Sequence, residues 1–391
     1  MAYSIKAVSS IREIGQSSWD AAANPYLTDP DCGIAYDPFV SYHFLSALEE
    51  SGSAAAATGW APYHLVLEED GVTRGVVPMY LKSHSQGEYV FDYNWADAFE
   101  RSGGRYYPKL QISVPFTPAT GRRILTPHSQ KSDEYAEHLI SGVMQVAKKL
   151  DVSSVHVTFA TKDQYDQMGE LGFLQRTHQQ FHWLNNGYEC FDDFLGALSA
   201  KKRKNIRRER RGAIENGVEI ERLTGADIQE QHWDAFYQFY VDTGNRKWGS
   251  PYLTREFFSL IGERMSEDVL LVMCKRDGRY IAGAINFIGS DCLFGRNWGC
   301  IEHHPFLHFE VCYYQAIQFA IERGLKRVEA GAQGTHKLAR GYLATHTYSA
   351  HWIVNESFSE AVNHFLQQER AYIDEEIDYM EEHSPFKKSD S

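Results

Sequence analysis

The segment Glu329–Gly341 has the highest density of side chains that could take part in chemistry. Gly331 and Gly334 would let a ligand approach the backbone closely. The segment follows an apolar run that predicts a strand, and functional loops gather at strand ends. We therefore expect a substrate pocket here, with His336 as a catalytic residue; a polar connection that caps a sheet is the alternative. Its side chains that can bind carboxylate, phosphate or carbonyl groups are Gln333, His336, Lys337 and Arg340.

A second segment, Glu302–Glu310, ends in two groups that could transfer protons. His308 and Glu310 are of the types whose pKa values proteins tune towards neutrality. A buried structural role for both is equally open. His303 and His304 add imidazole groups, but no carboxylate–histidine spacing of an established metal site completes them, so the sequence predicts no metal.

Pro115–Arg123 could form an anion cradle at the start of the following helix, and so bind the phosphates of a donor. Its candidate residues are Thr117, Thr120, Gly121 and Arg122. Just upstream, Asp92, Tyr107 and Lys109 could line a substrate groove between two halves of the protein. A tightly packed aromatic cover is the alternative for this segment.

Two clusters combine a cation with tryptophan. Arg296 and Trp298 lie at the end of a predicted strand, and we expect them to bind substrate. Arg246–Gly249 forms the other cluster, in a predicted loop. Arginine stacked on tryptophan is also a common structural pair, so a packing role stays open for both.

The elements that position these residues occur twice along the chain. Each copy has two strand-like runs joined by a turn that contains Asp-Gly, a strong hairpin signal, and then an amphipathic helix and a further strand. The hairpins are His64–Gly71 with Arg74–Leu81 and Leu270–Gly278 with Tyr280–Phe287. The first copy carries an aromatic-rich insertion, Tyr89–Pro118. Ser132 and Asp133 are N-cap candidates for its helix. Alternating strands and helices indicate a mixed α/β class.

The chain has 391 residues and a net charge of −13, which argues against a dedicated duplex-DNA binder. There is no apolar run long enough to span a membrane and no secretory signal, and the six cysteines form no C-x-x-C pair. These features predict a cytoplasmic protein with reduced thiols. We expect three segments: a first half over 1–195, a basic helical connector over 196–215, and a second half over 216–391 that ends in an acidic helix.

The strongly basic stretch Lys201–Arg211 has three interpretations. It could bind RNA phosphates, as contact with a tRNA would require. It could bind an anionic lipid surface or a pyrophosphate-bearing lipid. It could also pair with the acidic residues near the C-terminus.

Several long motifs resemble the bacterial FemAB-like proteins, predicted N-acyltransferases related to the Fem aminoacyltransferases. The motifs are Tyr80–Asp92, Tyr106–Leu110, Pro115–Arg122, Leu307–Tyr314 and Glu329–Gly341. The resemblance implies two GNAT-like halves in tandem and transfer of an acyl or aminoacyl group to an amine. The co-substrate would be acyl-CoA or aminoacyl-tRNA, with no tightly bound cofactor. The acceptor would be a peptidoglycan-related peptide amine or a small-molecule amine.

The sequence departs from this pattern at two points. The loop before the second helix lacks the Q/R-x-x-G-x-G/A pyrophosphate motif of GNAT enzymes, and the coiled-coil arm of some Fem enzymes is missing. A non-catalytic module that recognises a peptidoglycan precursor is therefore the alternative function.

Overall fold

The computed structural model describes residues 3–247, 251–331 and 334–387. Within them, the strands are β1 (Tyr3–Val8), β2 (Trp60–Pro62), β3 (His64–Glu69), β4 (Val72–Val77), β5 (Met79–Lys82), β6 (Lys109–Ile112), β7 (Ser154–Ala160), β8 (Leu174–Leu184), β9 (Glu219–Leu223), β10 (Val269–Arg276), β11 (Arg279–Ile288), β12 (Cys292–Cys300), β13 (Arg327–Glu329) and β14 (Leu343–Ile353). The helices are α1 (Gln16–Ala23), α2 (Tyr42–Glu50), α3 (Tyr93–Arg101), α4 (Ser132–Lys149), α5 (Lys162–Glu170), α6 (Phe191–Ala197), α7 (Ala200–Ile214), α8 (Glu230–Lys247), α9 (Arg255–Arg264), α10 (Leu307–Phe309), α11 (Gln315–Glu322) and α12 (Glu356–Glu382). A π-helical turn, Glu310–Tyr314, joins α10 to α11.

The chain divides into two compact units. The first contains the residues up to His178 together with His346–Glu375, and the second contains Gln179–Thr345 together with the residues from Glu376 onward. This division differs from the expected segments 1–195, 196–215 and 216–391. The basic helix α7 belongs to the second unit, and most of β14 belongs to the first because it pairs with β7.

The first unit has a three-stranded sheet in the order β1-β3-β4 and a second sheet in which β2, β5, β6, β7 and β14 are successive neighbours. Strands β6 and β7 are parallel, and α4 connects them. One face of the second sheet is apolar, because side chains alternate along each strand. Met79, Leu110 and Val155 on this face pack with Leu139 and Val143 of α4.

In the second unit the strand order is β8-β13-β12-β11-β10-β9. Strands β10, β11 and β12 form an antiparallel meander, and β12 then pairs with β13 in parallel. The crossover from β12 to β13 runs through α10, the π-helical turn and α11. The succession of antiparallel strands, crossover helix and parallel strand therefore occurs in both units, and the mixed α/β class is confirmed.

The structure corrects three local predictions. The run Arg74–Leu81 is not one strand, because Pro78 separates β4 from β5 and the two strands lie in different sheets. The segment Tyr89–Pro118 is more than an insertion, since it contains α3 and β6, the counterpart of β12. Helix α4 begins at Ser132, and Lys131 occupies the N-cap position.

Over the described parts of the chain, no helix combines the length and the apolar character that crossing a membrane requires.

Candidate functional site

His336 lies in a short turn that follows the splayed ends of two strands. Strands β12 and β13 pair from Cys292↔Arg327 to Phe294↔Glu329, and β12 then continues to Cys300 beside β11. A 3₁₀ turn, Thr335–Arg340, comes after β13 and begins beyond Gly334. The side chain of His336 is exposed, as a group that must meet a substrate has to be.

The imidazole of His336 is held by Tyr313, whose hydroxyl oxygen lies 2.8 Å from Nε2. Tyr313 belongs to the π-helical turn, and such turns often occur at functional sites because they shift side chains out of the α-helical register. Burial lowers the pKa of His336, and the charges of Arg340 and Lys337 lower it further. The ring is therefore neutral at physiological pH and can accept a proton.

Aromatic rings surround this histidine. The His308 ring lies 6.3 Å from the His336 ring and 5.4 Å from those of both Trp298 and Tyr313, and Phe309 lies 5.9 Å from His336. Three predicted site residues, His336, His308 and Trp298, are thus brought together. We refer to these five residues as the His336 cluster.

Gly334 keeps one edge of the imidazole open. Its φ of +118° is unfavourable for any residue with a Cβ atom. A Cβ atom at this position would lie 2.5 Å from Cε1 and 2.9 Å from Nδ1 of His336. Because Nε2 faces Tyr313, Nδ1 is the nitrogen available to a substrate, and glycine leaves room for it.

Lys337 and Arg340 point into the protein. The ammonium group of Lys337 donates to the carbonyl oxygens of Ala330 (2.6 Å) and Gly331 (2.9 Å), so it fixes the turn to the end of β13. Burial lowers the pKa of Lys337 to about 8.

Arg340 forms a bidentate ion pair with Glu209 of α7 (3.1 and 3.2 Å), donates to the carbonyl oxygen of His336 (2.8 Å) and lies 3.4 Å from the centre of the Phe309 ring. Glu209 also accepts a hydrogen bond from Tyr314. These bonds make Arg340 a positioning residue for the turn, in place of the substrate contact that we expected.

Glu310 is also bonded internally. Its carboxylate accepts bonds from Arg210 of α7 (3.0 to 3.2 Å) and from Gln315 (2.8 Å), and the residue is buried. The expected proton-transfer role of Glu310 is therefore not supported, because both oxygens already accept bonds from protein donors.

The basic stretch Lys201–Arg211 pairs with its own unit. Besides the bonds of Glu209 and Arg210, Arg207 contacts Asp192 at 3.0 Å. In the acidic C-terminal helix, Glu369 pairs with Arg176. Pairing of the basic stretch with the acidic residues near the C-terminus stays a prediction.

The remaining candidates of the second unit fall in different places. Arg296 lies at a β-bulge of β12, between the residues that pair with Ile285 and Asn286, and is half-buried. Gln333 lies outside the described residues, as do Trp248 and Gly249 and the side chains of Arg246 and Lys247.

The anion cradle expected in the first unit is occupied by the protein itself. Arg122 donates to the carbonyl oxygens of Ala22, Ala23 and Thr126, and burial lowers its pKa to about 10. The N–H of Gly121 donates to Phe159, and a Cβ atom on Gly121 would clash with the carboxylate of Asp37. A carboxylate at this position repels a phosphate.

The threonines of the same loop give no support to phosphate binding. The hydroxyl of Thr117 donates to the carbonyl oxygen of Pro115, and this residue is buried. Thr120 is half-buried in the same loop.

A buried cluster of charged side chains lies in the first unit and joins two of the predicted residues. The ammonium group of Lys109 donates to Asp92 (2.5 Å), to Glu88 (2.7 Å) and to the hydroxyl of Ser85 (2.8 Å). Tyr107, the third predicted residue here, bonds to the same Ser85 hydroxyl at 2.8 Å. We call Lys82, Ser85, Glu88, Asp92 and Lys109 the Lys109 cluster.

The second lysine of this cluster is Lys82. Its ammonium group lies 3.7 Å from Glu88, donates to the carbonyl oxygen of Gln86 and sits 3.6 Å from the centre of the Trp60 ring. Burial lowers the pKa of Lys82 to about 7 and raises that of Glu88 to about 7. Burial alone would raise the pKa of Asp92, but Lys109 outweighs it and holds that pKa well below its usual range.

Next to the cluster, two histidines form a buried pair that should make stability depend on pH. Nδ1 of His156 lies 2.7 Å from Nδ1 of His351, and Asp92, Lys109 and Arg176 are the charged groups that act on the pair. Burial lowers the pKa of His156 to about 3 and that of His351 well below its usual range.

We expect the free energy of unfolding to fall as the pH decreases below about 6.5, the ordinary pKa of histidine. There the unfolded state binds protons that the folded His156 does not, so stability rises with pH, by at most about 1.4 kcal/mol per pH unit for one histidine. When the free energy of unfolding is measured by urea unfolding between about pH 7 and about pH 5, it should change less with pH for His156→Gln than for the wild type. Equal slopes would contradict the neutral buried pair.

Sequence reasoning missed several residues that matter here. Tyr313 and Glu209 were missed because neither the π-helical turn nor the packing of α7 can be recognised from neighbouring residues in the sequence. Lys82 had a weak signal, because Tyr80 and Lys82 alternate on β5 opposite Gln111 and Lys109 on β6, which marks one polar face of two buried strands.

No group of three or more His, Cys, Asp or Glu side chains arranged to hold a metal ion occurs among residues 3–247, 251–331 and 334–387. His304 instead lies 3.2 Å from Glu302.

Comparisons with known proteins agree with this architecture. A family model described as FemAB-like, peptidoglycan biosynthesis/recognition, matches residues 10–388. FemX has 12% identity and a TM-score of 0.55, covering 93% of this chain and 100% of its own. L-PGS from Bacillus licheniformis has 10% identity and a TM-score of 0.50, covering 85% of this chain and 98% of its own.

A tandem GNAT protein from the clavulanic acid biosynthesis pathway matches with 11% identity and a TM-score of 0.48 over 90% of this chain and 99% of its own. No curated protein sequence matches. Identities this low show the fold alone, and the expected mixed α/β class is confirmed.

Proposed function

The chain belongs to the FemAB-like family, and from this premise we propose that it is an N-acyltransferase that moves an acyl or aminoacyl group onto an amine. The strongest support in the structure is the pair formed by His336 and Tyr313, a neutral exposed histidine fixed by a buried tyrosine. The acceptor is a peptidoglycan-related peptide amine or a small-molecule amine. A cytoplasmic location is part of the proposal.

The reaction needs little covalent chemistry from the protein. The nitrogen of a neutral amine attacks the acyl carbonyl carbon, a C–N bond forms, and the C–S bond of a thioester or the C–O bond of an aminoacyl ester breaks. The attacking nitrogen loses one proton, and the departing sulfur or oxygen gains one. A protein accelerates this step by orienting the reactants and by accepting and returning the proton.

In this proposal His336 transfers the proton. When its Nε2–H donates to the oxygen of Tyr313, Nδ1 keeps a lone pair on the side that Gly334 leaves open. His308 and Trp298 form the wall beside it. Lys337 adds a positive charge at the end of β13, where it favours the negative charge that develops on the carbonyl oxygen.

The donor is acyl-CoA or aminoacyl-tRNA, and α7 offers it a cationic surface. Ile206, Glu209 and Ala213 form the buried side of this helix. Its exposed basic residues are Lys201, Lys204, Arg207, Arg208 and Arg211. At 100° per residue they share one face, where a phosphate backbone could bind.

A non-catalytic module that recognises a peptidoglycan precursor is the second candidate. The occupied Arg122 loop favours it, since the place where phosphates were expected holds Asp37 and three backbone carbonyl oxygens. Under this alternative the His336 cluster binds a ligand without transferring a group.

Thermal-shift titrations with acetyl-CoA and, separately, with aminoacyl-tRNA test the proposal. A donor that binds only the folded chain stabilises it by about 2.7 kcal/mol at a hundredfold excess over Kd. We expect a saturable rise in Tm with one of the two, and conversion of an amine to its amide with that donor. A well-folded sample whose Tm rises with neither donor would contradict the proposal. The recognition module would then be the remaining candidate function.

A further inference from the structure

The Lys109 cluster contains two carboxylate oxygens that could accept a further hydrogen bond. Lys109 uses its three N–H groups on Ser85, Glu88 and Asp92. The second oxygens of the two carboxylates, Glu88 Oε1 and Asp92 Oδ1, accept no hydrogen bond from any described residue. Lys82 lies 3.7 Å from Glu88 Oε1, which is within ion-pair range and beyond hydrogen-bond length.

These two oxygens are deeply buried. Glu88 is 4% exposed and Asp92 is 2% exposed. A buried acceptor without a donor has lost its hydrogen bonds to water without replacement, and the cost is larger when the atom carries charge. Asp92 Oδ1 has no donor among the described residues, and Glu88 Oε1 has only the ion-pair contact with Lys82, so both oxygens can accept a bond from a further donor.

The charge balance selects a cationic donor. Lys82 and Glu88 both have pKa values of about 7, so at neutral pH a small change in their surroundings decides which of the two is protonated. A cation beside Glu88 favours the carboxylate and a neutral Lys82. An anion would instead face two carboxylates whose lysine partner already has its N–H groups occupied.

The cluster is covered by an irregular segment, residues 83–92, with aromatic rings on its outer side. Phe91 and Tyr93, on either side of Asp92, are stacked with ring centres 5.8 Å apart and are 46% and 47% exposed. Below them, Tyr93 donates to the carbonyl oxygen of Ser85, and the Ser85 hydroxyl bonds to Lys109. Exposed stacked rings above buried carboxylates suit a ligand with an apolar body and a charged end.

We propose that the first unit contains a binding site for a primary amine, in which Glu88 Oε1 and Asp92 Oδ1 hold the ammonium group and Phe91 and Tyr93 pack against its carbon skeleton. The amine's identification as the acceptor of acyl transfer rests on the proposed function, whereas the amine site itself does not.

Calorimetric titration of the full-length protein with 2-phenylethylamine, without any acyl donor, tests the site. The matched neutral ligand is 2-phenylethanol. We expect saturable binding of the amine and none of the alcohol, and a Kd at least about 10-fold weaker for Glu88→Gln, because the variant removes a bond to a charged group. Glu100→Gln, an exposed change on α3, is the control and should leave Kd unchanged.

A surface variant keeps the test valid if Glu88→Gln does not fold. Phe91→Ala should weaken binding of the aromatic amine by about threefold or more, with unfolding unchanged. The proposal is overturned if the wild type does not bind the amine, if Glu88→Gln binds it as tightly, or if crystals soaked with the amine show only water at the two carboxylates. Amine binding without transfer from any donor would keep the site and remove the proposed function.

Discussion

Replacing His336 by alanine is expected to lower kcat for amide formation by about 10²–10⁴-fold, the usual contribution of a positioned proton-transfer group. The free energy of unfolding should stay within about 0.5 kcal/mol of the wild type, because the ring is exposed and the bond from Arg340 goes to the backbone oxygen. Steady-state kinetics and urea unfolding on the same preparations measure both quantities.

His303→Ala is the matched control for this prediction, since His303 is an exposed histidine in the loop that precedes α10. It should leave kcat and stability unchanged. A His336→Ala variant that keeps the wild-type kcat would assign proton transfer to another group. A variant that loses stability in proportion to activity would make His336 a structural residue.

Lys109→Met is expected to destabilise the protein by about 3–5 kcal/mol, the usual cost of removing one partner of a buried ion pair. Methionine has a similar length but removes the ammonium group, which leaves Glu88 and Asp92 buried without their shared partner. Urea unfolding followed by circular dichroism measures the loss.

The double variant Glu88→Gln/Lys109→Met should recover part of that loss, because one of the two uncompensated charges disappears. Lys149→Met, at the exposed end of α4, should change stability by less than about 0.5 kcal/mol. A Lys109→Met loss as small as that of the control would mean that water reaches the cluster and screens its charges.

The repeated order of hairpin, helix and strand could be predicted because each signal is local. The Asp-Gly turns and the helical spacing of apolar residues in α4 and α11 follow from neighbouring residues alone. Pro78 is also visible in the sequence, but the separation of β4 and β5 into different sheets could not be predicted from it. The sheet that a strand joins depends on partner strands elsewhere in the chain.

The candidate sites depended on contacts between residues far apart in sequence. His336 and His308 could be chosen by type, whereas their neighbour Tyr313 faces His336 only because of the π-helical turn. Arg340 looked like a substrate ligand until Glu209 of α7 was found bonded to it.

In the first unit, too, the candidate residues depend on contacts between residues far apart in sequence. Lys109 and Asp92, both predicted substrate residues, are bonded to each other. Lys82 joins them through the pairing of β5 with β6, and Glu88 through the segment that follows β5. The Arg122 loop was predicted as an anion cradle, and the carboxylate of Asp37, far upstream in the chain, lies next to Gly121 in that loop and disfavours phosphate binding.

The most direct test of the central claim is multiple-turnover amide formation by the full-length protein, measured by mass spectrometry with an amine and either acetyl-CoA or aminoacyl-tRNA. Our account predicts amide product in excess over the protein with one donor, abolished by His336→Ala and unaffected by His303→Ala. Absence of product with both donors, or equal rates for the wild type and His336→Ala, would contradict it.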